Sequence, residues 1–520
     1  MCRTVYKQVL ELWKDNRLVE AECVLRNFWK KCSMQSLQGM LLMAYILRDQ
    51  KKYVSEVAIL QDLLSRFDGV PEPDLLADAW SVLGSALRML GESELSLQAL
   101  LKGVELETCP EQRLVECSNA IFTANAISGI SAERMQDLYV RYQNLLADLK
   151  MKTYPVPQWH HSVIRVGYLS ADLHEHAVAQ FIWPLLCAYD PSQFSVYVYR
   201  LSAIDDAVTR GLQDGRAFWR EVWTLSWQDL AAKIREDEID VLVDLSGHTA
   251  GNALPVLACR PAPVQLSGIG YFNSTGMIET SGFLSDVYCS SAEHSPYFTE
   301  PLLRMPHSHF CYHPFTEFPD EGAAPCLKNG YVTFGCFNNF AKVNDEILFL
   351  WREILKRVPD ARLLLKHSLL GTEEGRNYTV QRFRRLELPL ERIEFRGSSD
   401  DYLLQYQDMD IALDTSPYPG GVTTCEALYM GVPVVTLKGN RHGARFGYSF
   451  LANLNLTELV AENEAEYVDI AVKLSHDWEL LNMFRENLRK MMLRSSLMNE
   501  IQYMQGIEDM YKNLKKECML

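Results

Sequence analysis

The stretch Ile411-Ala412-Leu413-Asp414-Thr415-Ser416-Pro417-Tyr418-Pro419-Gly420-Gly421-Val422-Thr423-Thr424-Cys425-Glu426-Ala427-Leu428 decides the fold class. Ile411 to Asp414 reads as a buried strand that ends in a Pro- and Gly-rich turn. Cys425 to Met430 then reads as a helix, and Val432 to Leu437 as another strand. A strand, a crossover helix and a further strand are the unit of a parallel sheet with helices on its faces.

The same alternation extends on both sides. Upstream lie strands at Val332–Cys336, Leu363–Lys366 and Ile393–Phe395, with a helix over Glu346–Arg357; downstream, Glu464–Leu474 and Trp478–Leu493 read as helices. Pro314, Pro319, Gly322 and Pro325 punctuate a hinge between Pro314 and Asn329. Before it an equivalent series runs: strands at Ile164–Ser170, Phe194–Tyr199, Val241–Leu245, Pro263–Leu266 and Phe283–Asp286, with helices at Val178–Tyr189 and Trp227–Glu236. Two doubly wound α/β domains follow, over 160–315 and 330–515, with a cleft expected beyond the carboxyl ends of their strands.

Residues 1–150 show only the helical period, in Tyr6–Trp13, Leu41–Leu47 and Val57–Phe67. Trp80-Ser81-Val82-Leu83-Gly84-Ser85-Ala86-Leu87, then Gly91 and Leu97–Leu101, resembles a tetratricopeptide (TPR) helix pair in which Gly84 and Ala86 let helices approach. The segment is read as a short, degenerate TPR-like domain, with a plain helical bundle as the alternative. Pro155 and Pro157 mark a linker after it.

Composition narrows the function classes. The chain has 520 residues and a net charge of −16, which argues against a nucleic-acid-coating surface or docking on anionic membrane. Thirteen dispersed cysteines without a C-x-x-C pair read as buried free thiols of a cytoplasmic protein. The Met1–Asn16 segment has no signal-peptide core, and no apolar stretch reaches membrane-spanning length.

The chemistry concentrates in turns after strands. At Gly420, Gly421, Thr423 and Thr424 a glycine-containing loop opens a helix whose N–H groups and dipole favour a diphosphate. Glu426, one turn in, is placed to accept from ribose hydroxyls; an ordinary capped turn explains the same residues. Lys342 follows the Val332–Cys336 strand, as a phosphate counter-charge or a solvated surface lysine. His174, His176, His248, His307 and His309 all follow strands, where a histidine can act as general base. A zinc site competes, but no ligand spacing such as H-E-x-x-H supports it. The absence of G-x-G-x-x-G, G-x-x-x-x-G-K-[ST] and G-x-S-x-G disfavours dinucleotide-binding proteins, P-loop NTPases and α/β-hydrolases.

Five motifs occur in order: Tyr168-Leu169-Ser170-Ala171-Asp172 with His176; Arg260-Pro261-Ala262-Pro263-Val264-Gln265; Gly270-Tyr271 with Ser274-Thr275-Gly276; Cys336-Phe337-Asn338-Asn339-Phe340-Ala341-Lys342; and Thr423–Leu428 with Gly431-Val432-Pro433. Together they resemble the catalytic region of protein O-GlcNAc transferases, their bacterial relatives and the plant protein O-fucosyltransferase branch, over roughly residues 160 to 515. The resemblance implies a GT-B fold: two Rossmann-like domains facing a cleft, here preceded by the TPR-like domain. It implies inverting transfer of one sugar from a nucleotide sugar, UDP-GlcNAc first, to Ser/Thr hydroxyls of a protein, with no metal or other cofactor. His176 falls on the active-site histidine and Lys342 on the lysine that stabilises the leaving diphosphate. Asn339, Gly420, Gly421, Thr423, Thr424 and Glu426 fall on the donor-binding set, and His248 and Thr275 on the sugar pocket. Tyr402, Gln405 and Gly421 depart from the animal pattern, so UDP-glucose and GDP-fucose stay open as donors. A non-protein acceptor and a non-catalytic scaffold are the other readings. A protein partner could dock on the helices; nucleic acid is not expected.

Overall fold

The computed structural model describes residues 2–32, 35–67, 69–159 and 161–518; Met1, which began the N-terminal segment read above, lies outside them. The described strands are β1 (Ile164–Ser170), β2 (Phe194–Arg200), β3 (Phe218–Glu221), β4 (Val241–Asp244), β5 (Val264–Ser267), β6 (Gly282–Asp286), β7 (Leu302–Met305), β8 (Thr333–Cys336), β9 (Arg362–Lys366), β10 (Ile393–Arg396), β11 (Ile411–Leu413), β12 (Val434–Leu437) and β13 (Val460–Ala461). They form two parallel sheets, ordered β3-β2-β1-β4-β5-β6-β7 and β10-β9-β8-β11-β12-β13. The chain gathers into two compact units, each built from two separated stretches: Met1–Ile130 with Cys336–Tyr402, and Ser131–Gly335 with Leu403–Leu520.

In the second unit the first sheet has the doubly wound order expected from the sequence. Val166 of β1 lies opposite both Val196 of β2 and Val241 of β4. Every residue of β4, β5 and β6 is buried, as strands covered on both faces require. The order reverses between β1 and β4, and the turns carrying His176 and His248 leave the carboxyl ends of these two strands.

Several elements escape the sequence reading. β3 is a partly exposed edge strand, and β13 has only two residues. The helix Glu373–Arg385 is largely polar, with four buried residues, so it shows little apolar period. The final helix, Glu500–Cys518, extends past the elements read from the pattern. The described cysteines are free thiols as expected, but Cys23, Cys109 and Cys518 are exposed rather than buried. No helix of the described residues is long and apolar enough to cross a membrane.

Among the described residues of the first unit, seven helices run from Cys2–Lys14 to Pro110–Ala124. Pro73–Met89 and Ser93–Leu106 pack closely because Gly84 leaves room: an added Cβ would stand 2.6 Å from Leu100 Cγ. Ser96 Oγ donates to the Gly84 carbonyl at 2.6 Å across that contact. The turn joining these helices rests on the segment that follows β8. Gly91, at φ +82°, would place a Cβ 2.8 Å from the Val343 carbonyl oxygen and 2.9 Å from Arg382 Nη1. Arg382 donates to the Leu90 carbonyl and to Asp345, and Tyr378 donates to Glu92. Ser55 hydrogen-bonds Glu374 in the same region. The helical arm is thus built into the neighbourhood of the Lys342 loop.

Gly91 needs both a left-handed backbone and an empty Cβ position, whereas Gly129 (φ +66°) needs only the first, having nothing within 4 Å. Gly91→Ala is therefore expected to cost about 1–3 kcal/mol more than Gly129→Ala, measured by denaturant unfolding. Equal losses would show that the arm does not bear on the Val343 backbone.

Candidate active site

Strand ends in the second unit share one device: a buried aspartate that collects N–H groups of the next turn. Asp244, the last residue of β4, accepts from Gly247 N–H at 2.8 Å and from Ser267 Oγ at 2.7 Å. Burial pushes its carboxyl up to about 6 against those bonds. The turn it holds delivers His248, buried between the edges of Tyr142 and Tyr271. His248 Nε2 donates to the Thr275 carbonyl at 2.8 Å. Burial drives this imidazole down to about 4, so it is neutral at physiological pH. The two residues assigned to the sugar pocket thus meet, but the Thr275 hydroxyl and N–H are both directed at buried Glu300. Thr275 offers its carbonyl to His248 and its side chain to the protein interior.

Asp414 does the same after β11. Its Oδ1 accepts from Thr415 N–H at 2.9 Å and Gly420 N–H at 2.7 Å, and its Oδ2 from Thr436 Oγ at 2.9 Å. Tyr467 OH donates to its carbonyl. The turn Thr415–Gly421 is thereby fixed and opens the helix Val422–Tyr429. Its N-cap residue, Gly421, provides no side-chain cap. A Cβ at Gly421 would meet only Phe181, at 3.8 Å, so packing does not demand glycine there. A helix start without a capping side chain, with space before it, is suited to an anion. Thr424 and Glu426 are buried in its first turns, and Tyr406 OH donates to Glu426 Oε2 at 3.2 Å.

His176 is exposed in the turn after β1. Its Nδ1 accepts from Val178 N–H at 3.3 Å and stands 3.7 Å from Asp172 Oδ1. While Nδ1 accepts, the ring proton sits on Nε2, which is then a donor; an Nε2 base requires the proton on Nδ1, toward Asp172. Burial raises the Asp172 carboxyl, with His176 and His174 opposing the rise. Asn339 and Lys342 belong to the first unit. Asn339 caps its own turn through Oδ1 to Ala341 N–H at 3.0 Å, and Lys342, half-buried, closes that turn by donating its N–H to the Asn339 carbonyl. His176, His248, Thr275, Gly420, Gly421, Thr423, Thr424 and Glu426 all belong to the second.

The sequence reading gave no role to Asp172, Asp414, Tyr406 or Arg441. Asp414 and Asp172 sit at strand ends, which is a legible signal; Tyr406 and Arg441 come from irregular segments with none. Arg441 is half-buried near Tyr139 and Tyr271, and desolvation lowers its pKa.

Residues 129–319 and 323–507 match the pattern of glycosyl transferase family 41. The chain belongs to this family. The chain is similar to the probable UDP-N-acetylglucosamine–peptide N-acetylglucosaminyltransferase SPINDLY of Petunia hybrida, 37% identical over 356 residues, which are 67% of this chain and 38% of that protein. SPINDLY of Arabidopsis thaliana is 38% identical over 363 residues, 68% of this chain and 40% of that protein. The chain thus spans about two fifths of the length of these curated relatives. A solved lysine-to-methionine variant of the Thermobaculum terrenum O-GlcNAc transferase superposes with a TM-score of 0.87 at 28% identity, covering 99% of this chain and 98% of that one. The two parallel sheets with a helical repeat region before them are the GT-B architecture of that structure.

Two outcomes follow. Removing Asp414 orphans several buried donors, so Asp414→Ala should cost at least about 2 kcal/mol in denaturant unfolding, while Asp414→Asn, which keeps Oδ1, recovers most of it. A folded-state pKa near 4 for His248 means the unfolded chain binds a proton first as pH falls below the ordinary histidine value. Stability from this residue is therefore full at pH 7 and declines toward pH 4, by about 2 kcal/mol at pH 5. His248→Gln should flatten the dependence of melting temperature on pH between 7 and 5; an unchanged slope would contradict the neutral, buried imidazole.

Proposed function

We propose that this chain is an inverting protein O-glycosyltransferase that moves one sugar, GlcNAc as first donor group, from a nucleotide sugar to Ser/Thr hydroxyls without a metal at the diphosphate. The observation that carries the proposal is the Asp414-pinned turn and the helix start at Gly421 with no side-chain cap, with Glu426 buried just inside. Family membership and the names of the relatives support the substrate class.

Transfer breaks the bond between the anomeric carbon and the diphosphate oxygen while an acceptor hydroxyl attacks from the opposite face. Negative charge grows on the leaving diphosphate. Helix N–H groups at Val422 and Thr423 stabilise it, and Lys342 is assigned as the compensating ammonium. Glu426 and Thr424 hold the nucleoside side, with Asn339 assigned to the donor. His248 and Thr275 shape the sugar subsite by the hydrogen bond between them. The hydroxyl proton passes to a base, His176 in its Nδ1–H tautomer or the donor phosphate itself. The departures at Tyr402, Gln405 and Gly421 make GDP-fucose the second donor to test.

The test is incubation with UDP-GlcNAc, UDP-glucose and GDP-fucose and an acceptor protein extract, read by mass spectrometry for hydrolysis or transfer. Turnover of one donor with a mass shift on protein hydroxyls is expected. Lys342→Ala should lower kcat by about 10²–10³ with the melting temperature near wild type, since a half-buried turn lysine contributes little to stability. Near-normal turnover in that variant would remove Lys342 from the mechanism; no thermal shift with UDP or GDP would remove the enzyme assignment.

A further inference from the structure

Against Phe272 of the Gly270–Thr275 loop lies a second cluster, made of residues the proposed sugar transfer does not use. Cys289 follows β6, His309 follows β7, and His442 opens the short turn after β12. The Cys289 sulfur and one nitrogen from each imidazole all lie within 4.8 Å of one another. The three residues are fully buried, at 0%, 1% and 1% exposure.

The hydrogen bonding around the cluster fixes what each ring presents. His309 Nδ1–H donates to Asp286 Oδ2 at 2.6 Å, and His442 Nδ1–H donates to the Phe272 carbonyl at 3.2 Å. Each Nε2 therefore carries a lone pair, and neither has a hydrogen-bond partner among the described residues. Asp286 is itself anchored by N–H groups of Tyr288, Cys289 and His309 and by Ser449 Oγ. Phe283, Phe298 and Phe446 surround the His442 ring, and Phe310 lies against His309. Two imidazole lone pairs without partners converge, inside an aromatic wall, on a thiol whose one printed bond is a long donation to the Arg445 carbonyl at 3.6 Å. A carboxylate orienting an imidazole from behind is the usual support of a metal-ligating histidine.

We infer that Cys289, His309 and His442 form a structural zinc site. The two-nitrogen, one-sulfur donor set suits zinc and excludes the oxygen-seeking calcium and magnesium. Binding releases the Cys289 thiol proton to solvent; thiolate and Asp286 carboxylate together balance the two positive charges. The ion would tie the ends of β6 and β7 to the turn after β12. Through His442 it would also steady Phe272, whose ring packs 4.3 Å from Tyr418 in the turn before the Val422–Tyr429 helix. The site is separate from the diphosphate chemistry and does not depend on the donor assignment.

The test uses the full chain without a histidine tag, expressed in zinc-supplemented medium and assayed by elemental mass spectrometry. About one zinc per chain is expected, with Cys289→Ser and His442→Gln falling below about a tenth and Cys117→Ala unchanged. Protein made in cobalt medium should show a thiolate-to-cobalt charge-transfer band, absent in Cys289→Ser. If either variant fails to fold, the wild-type metal content and cobalt spectrum decide alone. Wild-type protein with less than about a tenth of an equivalent of zinc, or cobalt protein without the thiolate band, overturns the inference.

Discussion

A buried carboxylate at the end of a parallel strand is the constraint on which the second unit depends. Asp244, Asp286 and Asp414 each terminate a strand or follow it directly, and each gathers N–H groups from the next turn. A parallel strand must turn sharply before its crossover helix, which leaves backbone donors pointing inward without ladder partners. A single aspartate satisfies two or three of them at once and so selects one turn geometry. The cost is desolvation of a charge, visible in the raised Asp244 carboxyl. What these turns then deliver differs: His248 after Asp244, Cys289 after Asp286, and the open helix start after Asp414.

The first unit solves a different problem. A helical arm of this kind is easily imagined as a separate module, since its core of Leu, Ala and Met residues is self-contained. Yet Gly91, Leu90 and Glu92 at one of its turns are spent on Val343, Arg382 and Tyr378. Those contacts make the arm part of the scaffold of the Lys342 loop.

Much of this was readable in the chain. Strands such as Val241–Asp244 are continuous apolar runs, and β1 and β11 end in turns whose Gly, Pro and hydroxyl residues announce them. The helix Glu373–Arg385 was silent because it buries few residues, and β3 because it lies at an edge. The placement of Glu426 and the Thr pair in a strand–turn–helix unit was legible from the sequence. Tyr406 was not, because it reaches Glu426 from an irregular segment that carries no periodic signal.

The sequence alone determined the alternation of strand and helix, the helical character of residues 1–150 and the positions of the turns, because these depend on the local order of apolar, β-branched and glycine residues. Tertiary structure alone decided that each compact unit is assembled from distant segments. It also decided that the His176 ring lies beside Asp172, that the Thr275 hydroxyl faces Glu300, and that Cys289, His309 and His442 converge. Such outcomes turn on ångström distances between residues far apart in the chain, and a one-dimensional pattern does not encode them.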